Sequence, residues 1–375
     1  MALDNKTIAD TFKLGFGLMR LPKNEDGSID VPQVCTMADK FMEAGGTYFD
    51  TAYVYDNGAS EEAFRQAVAE RFPRESYTVA TKLNAFLQCH DEASAKQQFF
   101  TSLERTGAKY FDYYLLHAIQ RSNVDKYENY HIWDFVKEQQ AKGLIKHWGF
   151  SFHADPELLE ELLTAHPDAE FVQLQINYAD WKNPGVAAQK NWEICRAHGK
   201  PVIVMEPVKG GILADPIQEV KDVFDKTGKD LSYAGWAIRY VASLEGILVV
   251  LSGMSNTAQM EDNLSFMKNF QPLSEKEQEI IEKAQFALDR SKDIPCTACH
   301  YCTDGCPQNI PIPEIFHVEN RKKGSPEFRT LREYTNVTQG RGKASDCIQC
   351  GQCESACPQH LSIIELLQHC TWMEK

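Results

Sequence analysis

Eight of the twelve cysteines in this 375-residue chain fall between Cys296 and Cys357, in two segments of identical spacing. CTACHYCTDGCP, from Cys296 to Pro307, and CIQCGQCESACP, from Cys347 to Pro358, both read C-x2-C-x2-C-x3-C-P. Two position-for-position copies make coincidence negligible. Three thiolates at that pitch wrap three corners of an iron–sulfur cubane, and the fourth, held by the turn before proline, reaches the other cluster. The spacing therefore predicts two 4Fe-4S clusters with crossed ligation. Cys296, Cys299, Cys302 and Cys357 would hold one; Cys347, Cys350, Cys353 and Cys306 would hold the other. A pair of structural zinc sites is the alternative, but zinc has no use for a third cysteine at the next x2 step and a fourth before proline, twice. Cys35, Cys89, Cys195 and Cys370 stand alone and read as buried small hydrophobes.

The remainder is an ordinary globular composition, 43% hydrophobic and 25% charged, long enough for one large domain with an appendage. A formal charge of -14 argues against a nucleic-acid-binding surface, which would need a basic face. The start, MALDNKTIAD, lacks a signal-peptide pattern, and the most apolar run, Gly246 to Met254, is too short to span a bilayer. A cytoplasmic protein that binds no membrane is expected, which also disfavours a disulfide framework.

Up to about residue 254, short apolar runs alternate with helical patterns. The expected strands are Phe16 to Leu18, Tyr48 to Asp50, Thr78 to Thr81, Tyr113 to Leu116, His147 to Phe150, Phe171 to Ile176, Pro201 to Met205 and Ile247 to Leu251. Helices are expected over Ser60 to Phe72, with Ser60 as its cap, Ala93 to Arg105, Asn129 to Ala141, Pro156 to Leu163, Val186 to His198 and Thr257 to Met267. Eight strand–helix units over about 250 residues predict an α/β fold, a (β/α)8 TIM barrel. An open doubly wound sheet is the runner-up, but no G-x-G-x-x-G follows a strand in the right setting. One more amphipathic helix, Ser274 to Arg290, closes the barrel unit, so the domains are expected at 1–290 and 291–375. The second resembles the bacterial two-cluster ferredoxin domain over roughly Asp293 to Leu367, which implies a small α+β fold. Its connector is longer than in free ferredoxins and basic, with Arg321, Lys322, Lys323, Arg329, Arg332, Arg341 and Lys343.

In a barrel, catalytic groups sit where strands end. Asp50 closes the second expected strand, Tyr55 follows in its loop, Lys82 ends the third and His117 the fourth. Singly each has a bland explanation: a loop cap, a solvated lysine, a satisfied turn histidine. Together they suit carbonyl reduction, which needs a proton donor at the forming alkoxide. A phenol beside a lysine held by an aspartate can serve, with a histidine to orient the substrate oxygen.

FDTAYVY (Phe49 to Tyr55), ATKLN (Ala80 to Asn84), YYLLH (Tyr113 to His117) and the Gly149-Phe150-Ser151 strand end resemble the aldo-keto reductase superfamily, in order and separation, from about Leu14 to Leu264. The resemblance implies Tyr55 as general acid/base, Lys82 and Asp50 tuning it, His117 positioning the carbonyl, and NADP(H) or NAD(H) as cofactor. Ser151 and Gln173 would hold the nicotinamide carboxamide. GMSNTAQMEDN (Gly253 to Asn263) resembles the adenosine-binding loop, with Ser255, Gln259, Asp262 and Asn263 on the nucleotide. Departures from the pattern are Phe152 after the serine, Met205 and Glu206 at the strand-seven end, and Gly253 and Gln259 where basic residues grip a 2'-phosphate in some members.

Hydride chemistry moves electrons in pairs, whereas a cubane passes one at a time. Three arrangements reconcile them: a carbonyl/alcohol oxidoreductase whose clusters exchange electrons with a ferredoxin or flavodoxin-type carrier, a flavin bridging the two chemistries; clusters that only staple a lid at the barrel mouth; or a redox-sensing, nucleotide-binding module that reports to a partner protein. The pocket loops Cys89 to Asp91, Ile119 to Tyr130 and Asp180 to Pro184, with Tyr178, Trp181 and Phe152, are candidates to shape the site. Protein made anaerobically is expected to be brown and to carry about eight iron atoms and eight acid-labile sulfides per chain. Stoichiometric zinc without charge-transfer absorption would refute the cluster reading.

Overall fold

The computed structural model describes residues 3, 11–289, 293–322 and 326–374. Eight parallel strands, β1 (Leu14–Gly17), β2 (Tyr48–Asp50), β3 (Thr78–Leu83), β4 (Phe111–Ile119), β5 (Ile145–Phe152), β6 (Phe171–Gln175), β7 (Val202–Met205) and β8 (Ile247–Ser252), pair in sequence order and close into a barrel through β1 and β8. Every expected strand is present within a few residues of its expected place, and the doubly wound alternative is excluded because an open sheet would leave β1 and β8 unpaired.

Alternation along the strands decides what the barrel holds, since side chains two residues apart share a face. The inner set starts with a packed layer that includes Tyr48, Ala80, Tyr113, Leu115, Phe171, Ile203, Val249 and Leu251. One step towards the carboxyl ends, the same faces carry Asp50, Lys82, His117, Ser151, Gln173 and Met205. The apolar layer is a floor and the polar layer lies on it. Gly149 is required there: a Cβ at this position would stand 2.2 Å from the carbonyl oxygen of Phe171 on β6.

Helices pack outside, several begun by side-chain caps. Asp30 caps Val31–Glu43, a helix the strand-based reading left out, accepting from the Gln33 amide. Asp91, Asp155 and Asn256 cap Glu92–Thr106, Pro156–Ala165 and Thr257–Met267 in the same way. Ser60 does not cap. The helix starts at Ala59, and the Ser60 hydroxyl is buried, bonded to the Leu18 carbonyl and to Thr51.

The expected boundary at 290/291 lies outside the described residues. The second unit departs from the α+β expectation: among the described residues after 293 it is helical, with Ile312–Arg321, Glu327–Thr338 and Ile363–Cys370 as its longer elements. Apolar spacing explains this, because Ile312, Ile315, Phe316 and Val318 all turn into a separate small core with Ile363 and Leu367. No helix among the described residues is long and apolar enough to cross a membrane.

The second unit is bolted to the barrel mouth. Gln359 exchanges two amide hydrogen bonds of 3.0 Å with Gln175 at the end of β6 and accepts from Lys209, which is itself ion-paired with Asp180. Lys209 and Asp180 are both buried. Lys209→Met, which strands Asp180 without its counter-ion, is expected to destabilise the protein by about 3–5 kcal/mol in chemical denaturation followed by circular dichroism.

Candidate active site and cluster sites

The barrel mouth opens into a cavity of about 630 Å³ lined by Asp50, Tyr55 and His117, with Gln173, Gln175 and Met205 from the next strands. Lys82 lies beneath, wholly buried, donating to Asp50 at 2.5 Å and to the Thr51 carbonyl at 2.6 Å. Burial pushes the Asp50 carboxyl up and the Lys82 ammonium down, each opposed by the other's charge.

Tyr55 stands over this pair. The Lys82 ammonium is 4.8 Å from its ring centroid, a cation facing the π-cloud. Burial, then the charges of Asp50 and Glu206, push the phenol well above its ordinary value, with Arg20 opposing. Tyr55 is therefore held protonated, as a proton donor needs. His117 meets Tyr55 edge-on, ring centroids 5.7 Å apart. Burial, then Lys82 and His153, push its imidazole well below 6.5, so it is neutral.

Four buried polar atoms around this cavity lack a hydrogen-bond partner: Asp50 Oδ2, His117 Nδ1, Gln173 Oε1 and Glu206 Oε2. Buried polar atoms are normally paired, so four on one cavity wall mark where a polar ligand binds. Ser255, Gln259, Asp262 and Asn263 line the far side. The amino ends of two helices line it too, Ser232, which caps Tyr233–Ala242, with Ala234, and Asn256, which caps Thr257–Met267, with Ala258; Ser232 donates at 2.7 Å to Asp262, midway along the second helix. Such paired ends suit phosphates. The residues present fit a dinucleotide. Ser151 does not line the cavity; its hydroxyl accepts from the Ala118 amide at 2.6 Å. Tyr178, Trp181 and Phe152 are also absent from the wall, Tyr178 packing on Phe224 and Trp181 on Trp192.

Cys296, Cys299, Cys302 and Cys357 line one cleft, and Cys306, Cys347, Cys350 and Cys353 another. Among the described residues no three His, Cys, Asp or Glu side chains converge on a single metal ion. Four cysteines around a cleft suit a cubane better than one zinc. Lining both the first cleft and the barrel cavity is Cys299, accompanied on the cavity side by Tyr301 and Pro358. Sequence reading missed that wall, together with Arg20 and His153, and met Glu206 only as a departure from the family pattern; its positive φ of 57° after a strand end is not visible in residue type. Three of the connector's basic residues pair within it, Arg321 with Glu333, Lys322 with Glu319 and Arg341 with Glu314, while Lys323 lies outside the described residues.

The family model for the aldo/keto reductase family matches residues 13–285. The chain belongs to the aldo-keto reductase family. It is an NAD(P)-dependent oxidoreductase of a family whose substrates are small carbonyl compounds. A second match, the 4Fe-4S dicluster domain over residues 295–361, implies two clusters. Among curated relatives, an uncharacterized oxidoreductase of Bacillus subtilis, YqkF, is 22% identical over 299 residues, 72% of this chain and 90% of that protein. A probable aldo-keto reductase of Glycine max is 26% identical over 206 residues, 53% of this chain and 56% of that one. The solved aldo/keto reductase of Klebsiella pneumoniae in complex with NADP and acetate superposes with a TM-score of 0.57 at 19% identity, covering 72% of this chain and 90% of that one. These distant likenesses speak for the fold alone.

Neutral His117 carries a pH signature. In the unfolded chain it takes a proton near pH 6.5 and in the folded barrel it does not, so its contribution to stability is present above 6.5 and lost as pH falls below it. The wild-type protein is expected to lose about 1.4 kcal/mol per pH unit for this histidine between pH 6 and 5, and His117→Gln to lack that component. An equal loss of unfolding free energy between pH 6 and 5 in wild type and His117→Gln, by denaturant titration, would show His117 to be charged when folded.

Proposed function

We propose that this aldo-keto reductase family member interconverts a small carbonyl and its alcohol with NADP(H), with Tyr55 as proton donor and acceptor. The observation that carries the reading is Tyr55 on the cavity wall, protonated, over the buried Lys82–Asp50 pair and beside neutral His117. When bound, the dinucleotide supplies the hydride and the two clusters supply one-electron transfer. The chain does the rest. Gln173 presents an unpaired carbonyl oxygen to a carboxamide, and Ser255, Gln259, Asp262 and Asn263, beside two helix amino ends, hold the nucleotide. The preference for NADP(H) draws support from the Klebsiella relative, which was solved with NADP.

His117 directs a ring nitrogen at the substrate oxygen and orients it for the Tyr55 hydroxyl. Lys82, tied to Asp50 and the Thr51 carbonyl, keeps a fixed positive charge under the ring, which stabilises the phenolate as the proton leaves. The cluster unit adds Cys299, Tyr301 and Pro358 to the wall of the mouth. We assign Cys296, Cys299, Cys302 and Cys357 to the proximal cluster and Cys306, Cys347, Cys350 and Cys353 to the distal one. The Cys299 wall favours electron transfer over a purely structural staple. An acidic carrier on the connector and a bridging flavin gain no support, and the sensor reading does not use Tyr55.

Tyr55→Phe is expected to slow NADPH-dependent reduction of small aldehydes and ketones by about two to four orders of magnitude, with NADPH affinity by fluorescence titration unchanged. Full turnover in that variant would remove Tyr55 as the proton donor.

A further inference from the structure

Between the barrel cavity and the proximal cysteine quartet the wall is thin, and a cation stands on it. Cys299 lines the cavity on one side and the quartet's cleft on the other. Arg20, from the turn after β1, also lines the cavity and donates from Nη2 to the carbonyl of Thr297 at 2.7 Å. Thr297 follows Cys296 directly and is buried. Its peptide cannot retreat, because Gly210 of the loop after β7 abuts it: a Cβ on Gly210 would meet that same carbonyl oxygen at 2.5 Å. With φ at +64°, Gly210 is also where a side chain would be strained. The cluster loop is thus clamped between a barrel arginine and barrel backbone. A peptide carbonyl carries no net charge to offset the guanidinium, and Glu206, also on the cavity wall, is the carboxyl whose charge acts on it.

We propose that Arg20 is a positioning residue that links dinucleotide binding in the cavity to the redox state of the proximal cluster, its guanidinium being shared between the Thr297 carbonyl and the ligand's anionic groups. The inference rests on the NADP(H) reading and adds a coupling to it. NADPH carries its charge on phosphates and has a neutral reduced ring. An electron added behind Cys299 and a phosphate placed in the cavity compete for one cation. Reciprocity then requires that NADPH bind the reduced protein more weakly and lower the proximal midpoint by the same factor. The distal quartet, whose cleft is lined by neither Thr297 nor Cys299, serves as the internal reference.

The test is a dithionite titration with redox mediators on the full chain carrying both clusters, each cluster followed by electron paramagnetic resonance, with and without saturating NADPH. Binding about tenfold weaker to the reduced protein corresponds to a fall of about 59 mV in the proximal midpoint, with the distal midpoint unmoved. Arg20→Met is expected to have a lowered proximal midpoint without ligand and no further shift with it; Arg20→Lys should regain part of both. Should Arg20→Met fail to retain the proximal cluster, wild type and Arg20→Lys still decide the matter. A proximal midpoint that NADPH leaves unmoved, in protein shown by fluorescence to bind it, overturns the proposal, as does a wild-type midpoint and shift in Arg20→Met. If fluorescence detects no NADPH binding at all, the dinucleotide reading fails instead, and the ligand-free midpoint of Arg20→Met still decides whether Arg20 acts on the cluster.

Discussion

Lys82 has no exposed surface, and the ion pair it makes with Asp50 constrains everything around it. Removing two charges from water costs several kcal/mol per ion, and only good geometry with every remaining hydrogen bond satisfied offsets it. The barrel supplies that geometry. Asp50 ends β2 and Lys82 lies near the end of β3, one step further along adjacent parallel strands, so both side chains point inward at nearly the same height. The Thr51 carbonyl takes a further ammonium proton. A one-residue slip between β2 and β3 would turn one of the charges into the helix layer and leave its partner buried alone. Strand register and proton-transfer site are in this sense one requirement.

Tyr55 draws its properties from the same burial. A phenol in a dry site beside two carboxylates is hard to ionise at rest, and a fixed ammonium under its ring becomes valuable only as the proton departs. Differential stabilisation of that kind serves catalysis, since it acts in the transition state more than in the ground state.

The second unit completes the site as well as following it in sequence. Its small core is independent, yet Thr297, Cys299, Tyr301, Pro358 and Gln359 all face the barrel. The contacts are polar and specific: a glutamine pair, a buried lysine shared with Asp180, and an arginine on a backbone carbonyl. Such contacts fix orientation more than they add stability, because each polar group gives up water to make them. They hold the proximal quartet at a set distance from the cavity, which the proposed electron transfer would need.

Much of this was legible in the residues. Strand alternation and the doubled cysteine spacing are local patterns, and each reports a local geometry that any fold must respect; the helix caps were not read, since the one expected, Ser60, is buried against Leu18 and Thr51. So Asp50, Lys82 and His117 could be placed at strand ends, Tyr55 in the loop that follows one, and the cysteines sorted into two sets, from the sequence alone. Other features depend on contacts between distant segments. Ser151 turned to the Ala118 amide, the basic connector turned to its own glutamates, and the second unit folded as helices because its apolar residues recur at helical spacing around a private core. Arg20 and Thr297 are 277 residues apart, and nothing in either segment announces the other. Local chemistry is written in sequence spacing, whereas the shared wall at Cys299 arises only when the closed barrel and the cluster unit pack together, since burial and charge proximity are properties of the packed chain.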